Sequence, residues 1–203
     1  MKAPLLLLLI SLLLTAGASA GELDRAATAM AGGEADFTQS FTPKGFATAP
    51  LESGTVIFGT LPMMRWSYTS PVEKLFVFDG HRSWFYVPSD KQVTIADVDD
   101  ARLAGQPFLL LGDPAARGRL FTVTEKPEGD SIVTTLVPKG GASQIRIVAV
   151  TTSAATHVIE RIEYSDREGN RTSFEFTKFH RRPAPADLFQ FTPPPGVQSI
   201  VAQ

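Results

Sequence analysis

The sequence contains no cysteine, only 2 Trp, 3 Tyr and 3 His, and no excess of positive charge, with 19 Lys and Arg against 21 Asp and Glu in 203 residues. Each shortage excludes something. Without thiols there is no disulfide framework and no thiolate nucleophile, so stability must come from a buried core. A formal charge of −2 offers no basic face that could track phosphates, so no nucleic-acid partner is expected. His81, His157 and His180 stand far apart with no HxH or HxxxH spacing, which argues against a histidine metal centre. No GxSxG elbow surrounds any serine and no glycine-rich phosphate loop is present, so no catalytic residues and no cofactor are expected.

Long apolar runs are missing as well, except at the start. Lys2 precedes the stretch Leu5 to Leu14, apolar apart from Ser11, and Ala18-Ser19-Ala20 closes it with small residues. This is the pattern of a secretory signal peptide at residues 1–20, cut before Gly21. No later stretch approaches the roughly 20 apolar residues of a spanning helix. Residues 21–203 are therefore expected to form one soluble exported domain, located in the periplasm and monomeric. Position 21 is glycine, so the cysteine that a lipid-anchored bacterial protein carries there is lacking.

What is present is alternation. Leu23, Ala26, Ala27 and Met30 fall at helical spacing before Gly32-Gly33, which predicts one short amphipathic helix. The period then becomes two. Strands are expected over Phe37–Phe41, Ser53–Leu61, Arg65–Tyr68, Lys74–Phe78, Ser83–Val87 and Gln92–Val98, separated by Pro, Gly and Asp turns. Asp99 to Gly118 breaks the rhythm, and Pro107-Phe108-Leu109-Leu110-Leu111-Gly112 reads as a short apolar helix with Pro at its start and Gly at its end. Strands resume at Arg119–Glu125, Ser131–Pro138, Gln144–Thr152, His157–Ser165 and Thr172–Phe179; Gly169-Asn170 is expected to supply positive φ for a hairpin. The tail, with Pro183, Pro185 and Pro193-Pro194-Pro195, must run as an extended edge or coil.

Several strands are apolar on both faces, notably Leu75-Phe76-Val77-Phe78 and Trp84-Phe85-Tyr86-Val87. Antiparallel sheets commonly keep one face wet, so something covers both sides here. Curvature plus helices would close one side, as in a barrel or half-barrel with a lid, around either a packed core or an apolar cavity. Asp97, Asp99 and Asp100 lack the glycine and distal Glu of a calcium loop and read as a solvated turn.

Certain pieces carry a resemblance. They are Phe37-Thr38-Gln39 after the first helix; Ser53-Gly54-Thr55; Pro62 leading to Arg65-Trp66-Ser67-Tyr68 and Pro71; Asp79-Gly80 with Trp84-Phe85-Tyr86-Val87-Pro88 and Gln92-Val93; and Leu188-Phe189-Gln190-Phe191-Thr192-Pro193-Pro194-Pro195-Gly196-Val197. In this order and spacing the sequence resembles the LolA family, carriers that ferry lipoproteins from the inner to the outer membrane. The resemblance implies an α+β, mainly β fold: an unclosed antiparallel β-barrel, or half-barrel, with short helices forming a lid over an apolar cavity. It also implies lipoprotein acyl chains as cargo, an inner-membrane Lol ABC transporter and an outer-membrane acceptor as partners, and no enzymatic step. Family members latch the lid through an Arg just before the strand-ending Pro, where this sequence has Leu61.

On that footing the lid would present Met30, Phe108, Leu110 and Leu111, the sheet would present Phe58, Trp66, Phe76, Phe78 and Trp84, Leu61 would belong to the cavity or its lid, and Met64 would fall near the cavity mouth. The aromatic residues among these equally suit an ordinary core, and Met64 a gap-filler. Each methylene removed from water contributes about 0.8 kcal/mol, so one 16-carbon chain is worth on the order of 10 kcal/mol. A carrier must also release its cargo, which a displaceable lid permits. Two other functions remain open at this point: a carrier or sensor of free lipids or glycolipids on the same scaffold, and a secreted hydrolase with a spatially assembled Ser-His pair.

Overall fold

The structure, a computed structural model, describes residues 21–47, 49–98, 107–141 and 143–202, with only the backbone of Pro107, Leu109 and Leu110. The expected leader at 1–20, the turn with Asp99 and Asp100, and the side chain of Leu110 lie outside the described residues.

Helix α1 (Glu22–Met30) forms where the 3.6-residue apolar spacing predicts it. Glu22 and Asp24 in its first turn oppose the helix dipole, and Gly32 at φ 66° breaks the path into the sheet. Six strands follow: β1 (Gly33–Thr42), β2 (Leu51–Phe58), β3 (Met64–Ser70), β4 (Lys74–Phe78), β5 (Arg82–Val87) and β6 (Gln92–Asp97). The 3-10 segment Pro107–Gly112 and helix α2 (Pro114–Leu120) interrupt them. Then come β7 (Phe121–Glu128), β8 (Ser131–Pro138), β9 (Ile145–Ser153), β10 (Ile159–Asp166), β11 (Arg171–Arg181), a 3-10 turn at Ala186–Phe189 and β12 (Gln198–Val201).

All described strands join one sheet in the order β12-β6-β5-β4-β3-β2-β1-β11-β10-β9-β8-β7. Every pairing is antiparallel except β12 on β6. The two wings meet at β1 and β11, where Phe37 faces Phe176. β12 and β7 are the margins and do not pair with each other, so the fold is the expected unclosed half-barrel. The apolar cluster lies on its concave side, beneath α1 and the Pro107–Gly112 segment.

Two expectations are corrected and one is met. Arg119 and Leu120 end α2 instead of opening a strand, because Asp113 caps that helix by accepting from the Ala116 amide at 2.8 Å while Pro114 fixes its first turn. The proline-rich tail ends, as expected, in an extended edge: β12, formed once its last proline is passed. At the β10–β11 turn only Gly169 takes positive φ (95°); Asn170 instead donates its amide to Asp166 Oδ2 at 2.7 Å.

The cover on both faces has two sources. The convex side of β3 to β6 is closed by the tail: Phe189 is fully buried, Arg65 donates to the Leu188 carbonyl at 3.2 Å, and the Phe191 ring lies 5.2 Å from that of Tyr86. Curvature and helices close only the concave side.

Candidate functional site

Register sets the concave floor. Directly paired residues share a face, so Ala35, Val56, Trp66, Phe76 and Phe85 form one row across β1 to β5. Beside it runs a second row of Gly33, Phe58, Met64, Phe78 and Ser83. From the other wing, Phe174 and Phe176 of β11 meet Trp66 with ring centroids 5.4 and 5.8 Å away. Phe37 stands edge-on to both Trp66 (4.9 Å) and Tyr68 (4.8 Å). Gly54, opposite Phe37, permits this strand crossing: a Cβ there would lie 1.9 Å from the Ser67 carbonyl oxygen.

The cover is built from few residues. Leu23, Ala26 and Met30 of α1 are buried against the floor, as is Leu111. Phe108 inserts its ring between the wings, 4.7 Å from Trp66 and 4.6 Å from Phe174, both near perpendicular. In this closed arrangement Phe108 and Leu111 rest directly on the aromatic floor. The segment then ends against the β2–β3 loop, where Gly112 fits only because it lacks a side chain: a Cβ would stand 2.4 Å from the carbonyl carbon of Leu61.

Polar contacts hold the cover in place. Arg117 of α2, almost wholly buried, donates to the Leu111 carbonyl at 2.8 Å and pairs with Asp24 of α1, so one guanidinium ties all three covering elements together. At the start of α1 the buried Glu22 carboxylate accepts from Thr152 Oγ1 (2.6 Å) and Arg25 (3.0 Å), and lies 3.1 Å from His157 Nδ1. The Glu22 amide donates to Glu125 of β7 at 2.6 Å. Burial pushes the Glu22 carboxyl upward, but the hydrogen bonds from Thr152, His157 and Arg25 outweigh it and hold the group below the usual carboxylate range.

The open end of the concave face is polar. Tyr68 donates to Gln39 Oε1 at 2.7 Å, and Lys74 pairs with Glu52 while its ammonium lies 4.6 Å from the Tyr68 ring. Burial, aided by the Glu52 charge, raises the Tyr68 phenol well above its ordinary value, so it stays a neutral donor. A separate cleft of about 400 Å³, with a mixed lining that includes Ser40, Arg146, Ile147, Ala149, Glu163 and Arg171, lies on the convex side.

Of the residues singled out in the sequence, Met30, Phe58, Leu61, Met64, Trp66, Phe78 and Leu111 come together in one buried cluster, with Phe76 and Phe108 packed against it. Trp84 does not join them. It pairs with Val77 and Ile95, one step out of phase with Phe78 and Phe85, and so belongs to the convex face. Sequence reasoning misses Arg117 and Glu22, because their partners lie 93 and 130 residues away and no spacing announces them.

The family model described as "Outer membrane lipoprotein carrier protein LolA" matches residues 29–192. The outer-membrane lipoprotein carrier protein of Bordetella bronchiseptica is 32% identical over 88% of this chain and 84% of its own length, and that of Nitrosomonas europaea 30% identical over 82% and 81%. Among solved structures, an uncharacterized conserved protein from Thermus thermophilus superposes with a TM-score of 0.55 at 13% identity, covering 89% of this chain and 97% of that one, a likeness of fold alone. The half-barrel, its short helical cover and these matches together place the chain in the LolA family of outer-membrane lipoprotein carriers.

Proposed function

We propose that this protein works in the periplasm, taking the acyl chains of lipoproteins released at the inner membrane, sheltering them on its concave face, and delivering them to an acceptor at the outer membrane. The observation that carries this reading is the seating of Phe108. The Phe108 ring, carried on a short 3-10 segment, meets Trp66, Phe174 and Phe176 by edge contacts. Such a cover can be exchanged for an alkyl chain, because a flexible chain regains the same apolar contacts when the ring withdraws.

The energetics suit reversible carriage. Burying one acyl chain is worth on the order of 10 kcal/mol. Displacing the lid forfeits the contacts of Phe108, Leu111 and the Arg117 link, so net affinity falls well below that gross figure. A closed state that partly satisfies the floor keeps the empty carrier from exposing a large apolar surface to water. No bond is made or broken in either transfer, and the only requirement on a partner is that it favour the open or the closed lid.

The test is to purify the exported protein from its periplasm and identify by mass spectrometry what travels with it. The purified protein is then added to spheroplasts to see whether it liberates lipoproteins. Recovery of acylated protein and lipoprotein release are expected; free phospholipid alone, with no release, would replace lipoprotein by free lipid as the cargo.

A further inference from the structure

The floor does not stop at the lid. The row through Ala35, Val56, Trp66, Phe76 and Phe85 continues to Thr94 of β6 and Ile200 of β12, so seven strands contribute one residue each to a line crossing the sheet. Exposure is greater toward the margin: Trp66 is 3% exposed, Phe76 half-buried and Phe85 39% exposed, and beyond the half-buried Thr94 stands Ile200, again 39% exposed. Large apolar side chains left in water this way, in line with a buried aromatic patch, form a ramp from the covered floor to the sheet margin. Among the described residues the flanks of this row are taken. On one side Phe58, Met64, Phe78 and Ala96 are already buried; on the other stand Tyr68 and the Lys74–Glu52 pair.

We propose that a saturated, unbranched acyl chain lies crosswise to the strands along this row, admitted past Ile200 and Phe85, with its methyl end at Trp66 in the place Phe108 vacates. The proposal rests on the carrier reading above and adds to it a direction, a lane and a point of admission. From Trp66 on β3 to Ile200 on β12 the row spans about 19 Å at ~4.8 Å per strand, the scale of one extended 16-carbon chain. The hydrophilic end of the cargo then hangs outside the β12 margin, and the phenol, ammonium and carboxylate of Tyr68, Lys74 and Glu52 border the lane where the chain passes under the lid.

The probe is palmitic acid carrying a diazirine either near the methyl end or near the carboxyl end, photolysed on the full-length mature protein and mapped by peptide mass. Methyl-end adducts are expected on Trp66 and Phe76, and carboxyl-end adducts on Phe85, Thr94 and Ile200. In parallel, Phe85→Glu and Ile200→Glu should each slow uptake tenfold or more without lowering the melting temperature, whereas Val137→Glu, on the convex face of β8, should not. Adducts confined to the β8–β11 wing, or equal uptake by all three variants, would overturn the lane while leaving the carrier reading intact. Absence of any uptake by the unmodified protein would overturn both.

Discussion

The Phe108 ring stands edge-on to Trp66, with centroids 4.7 Å apart and planes crossing at 71°. This pair joins the cover to the floor, and its loss should separate opening from folding. Phe108→Ala is expected to speed acyl uptake about tenfold and to cost about 1–3 kcal/mol of stability, less than for a fully buried ring because Phe108 is half-buried. Stopped-flow uptake and urea unfolding measure the two effects; unchanged uptake would assign the ring a purely structural part.

Arg117 reaches the Leu111 carbonyl and Asp24 at once. Arg117→Gln should cost about 2 kcal/mol, below the figure for a fully buried pair because the Asp24 side chain keeps a third of its surface in water. Amide exchange should rise in α1 and in Pro107–Gly112 but not in β9 to β11. Arg117→Lys should fail to restore protection, since one ammonium cannot bridge both acceptors in the same geometry. If exchange rises uniformly over the molecule, the guanidinium is not a tie between covering elements.

The Glu22 carboxyl sits below its ordinary value in the folded protein, so its contribution to stability is full above the unfolded pKa of about 4.3 and is lost as pH falls through the folded value. Urea midpoints of the wild type and Glu22→Gln should therefore differ at pH 7, and the gap should narrow below about pH 4.5. A gap that stays constant to pH 3 would contradict the hydrogen-bonded anion.

Trp66 and Trp84 lie on opposite faces of neighbouring parts of the sheet. Trp66→Ala should abolish measurable palmitate binding along with several kcal/mol of stability, about 3–5 for a buried Trp. Trp84→Ala should leave palmitate affinity within twofold. Isothermal titration of the folded variants distinguishes them, and an equal loss of affinity would mean that the strand alternation does not decide which ring meets the chain.

Thr134 of β8 is fully buried and its hydroxyl has no hydrogen-bond partner among the described residues. Its register partner is Val150, an apolar neighbour. Thr134→Val should stabilise the protein by about 1 kcal/mol, read as a higher urea midpoint with unchanged slope. A loss of stability would reveal a partner for the hydroxyl that the geometry does not supply.

Much of this is legible in the chain because a strand writes its two faces into alternate letters. The strand pattern from Phe37 onward, the first helix and the Pro107–Gly112 interruption all follow from local chemistry. Where both faces are apolar, as at Trp84-Phe85-Tyr86, alternation says that each side is covered but not by what, which is why sequence reasoning puts Trp84 with the floor and omits Phe85. The cover on the convex side comes from Phe189 and Phe191, about a hundred residues later, and only the folded tail discloses it. The Arg117 and Glu22 ties are equally silent, since ionic contacts between distant segments leave no period.

An open sheet is exposed to a hazard that a closed barrel escapes: its last strand can template a neighbour. At the β7 margin the exposed residues Lys126, Pro127 and Glu128 set charges and a missing backbone donor along the line where a second molecule would have to align. At that margin the sheet can thus stay unpaired without templating a second copy.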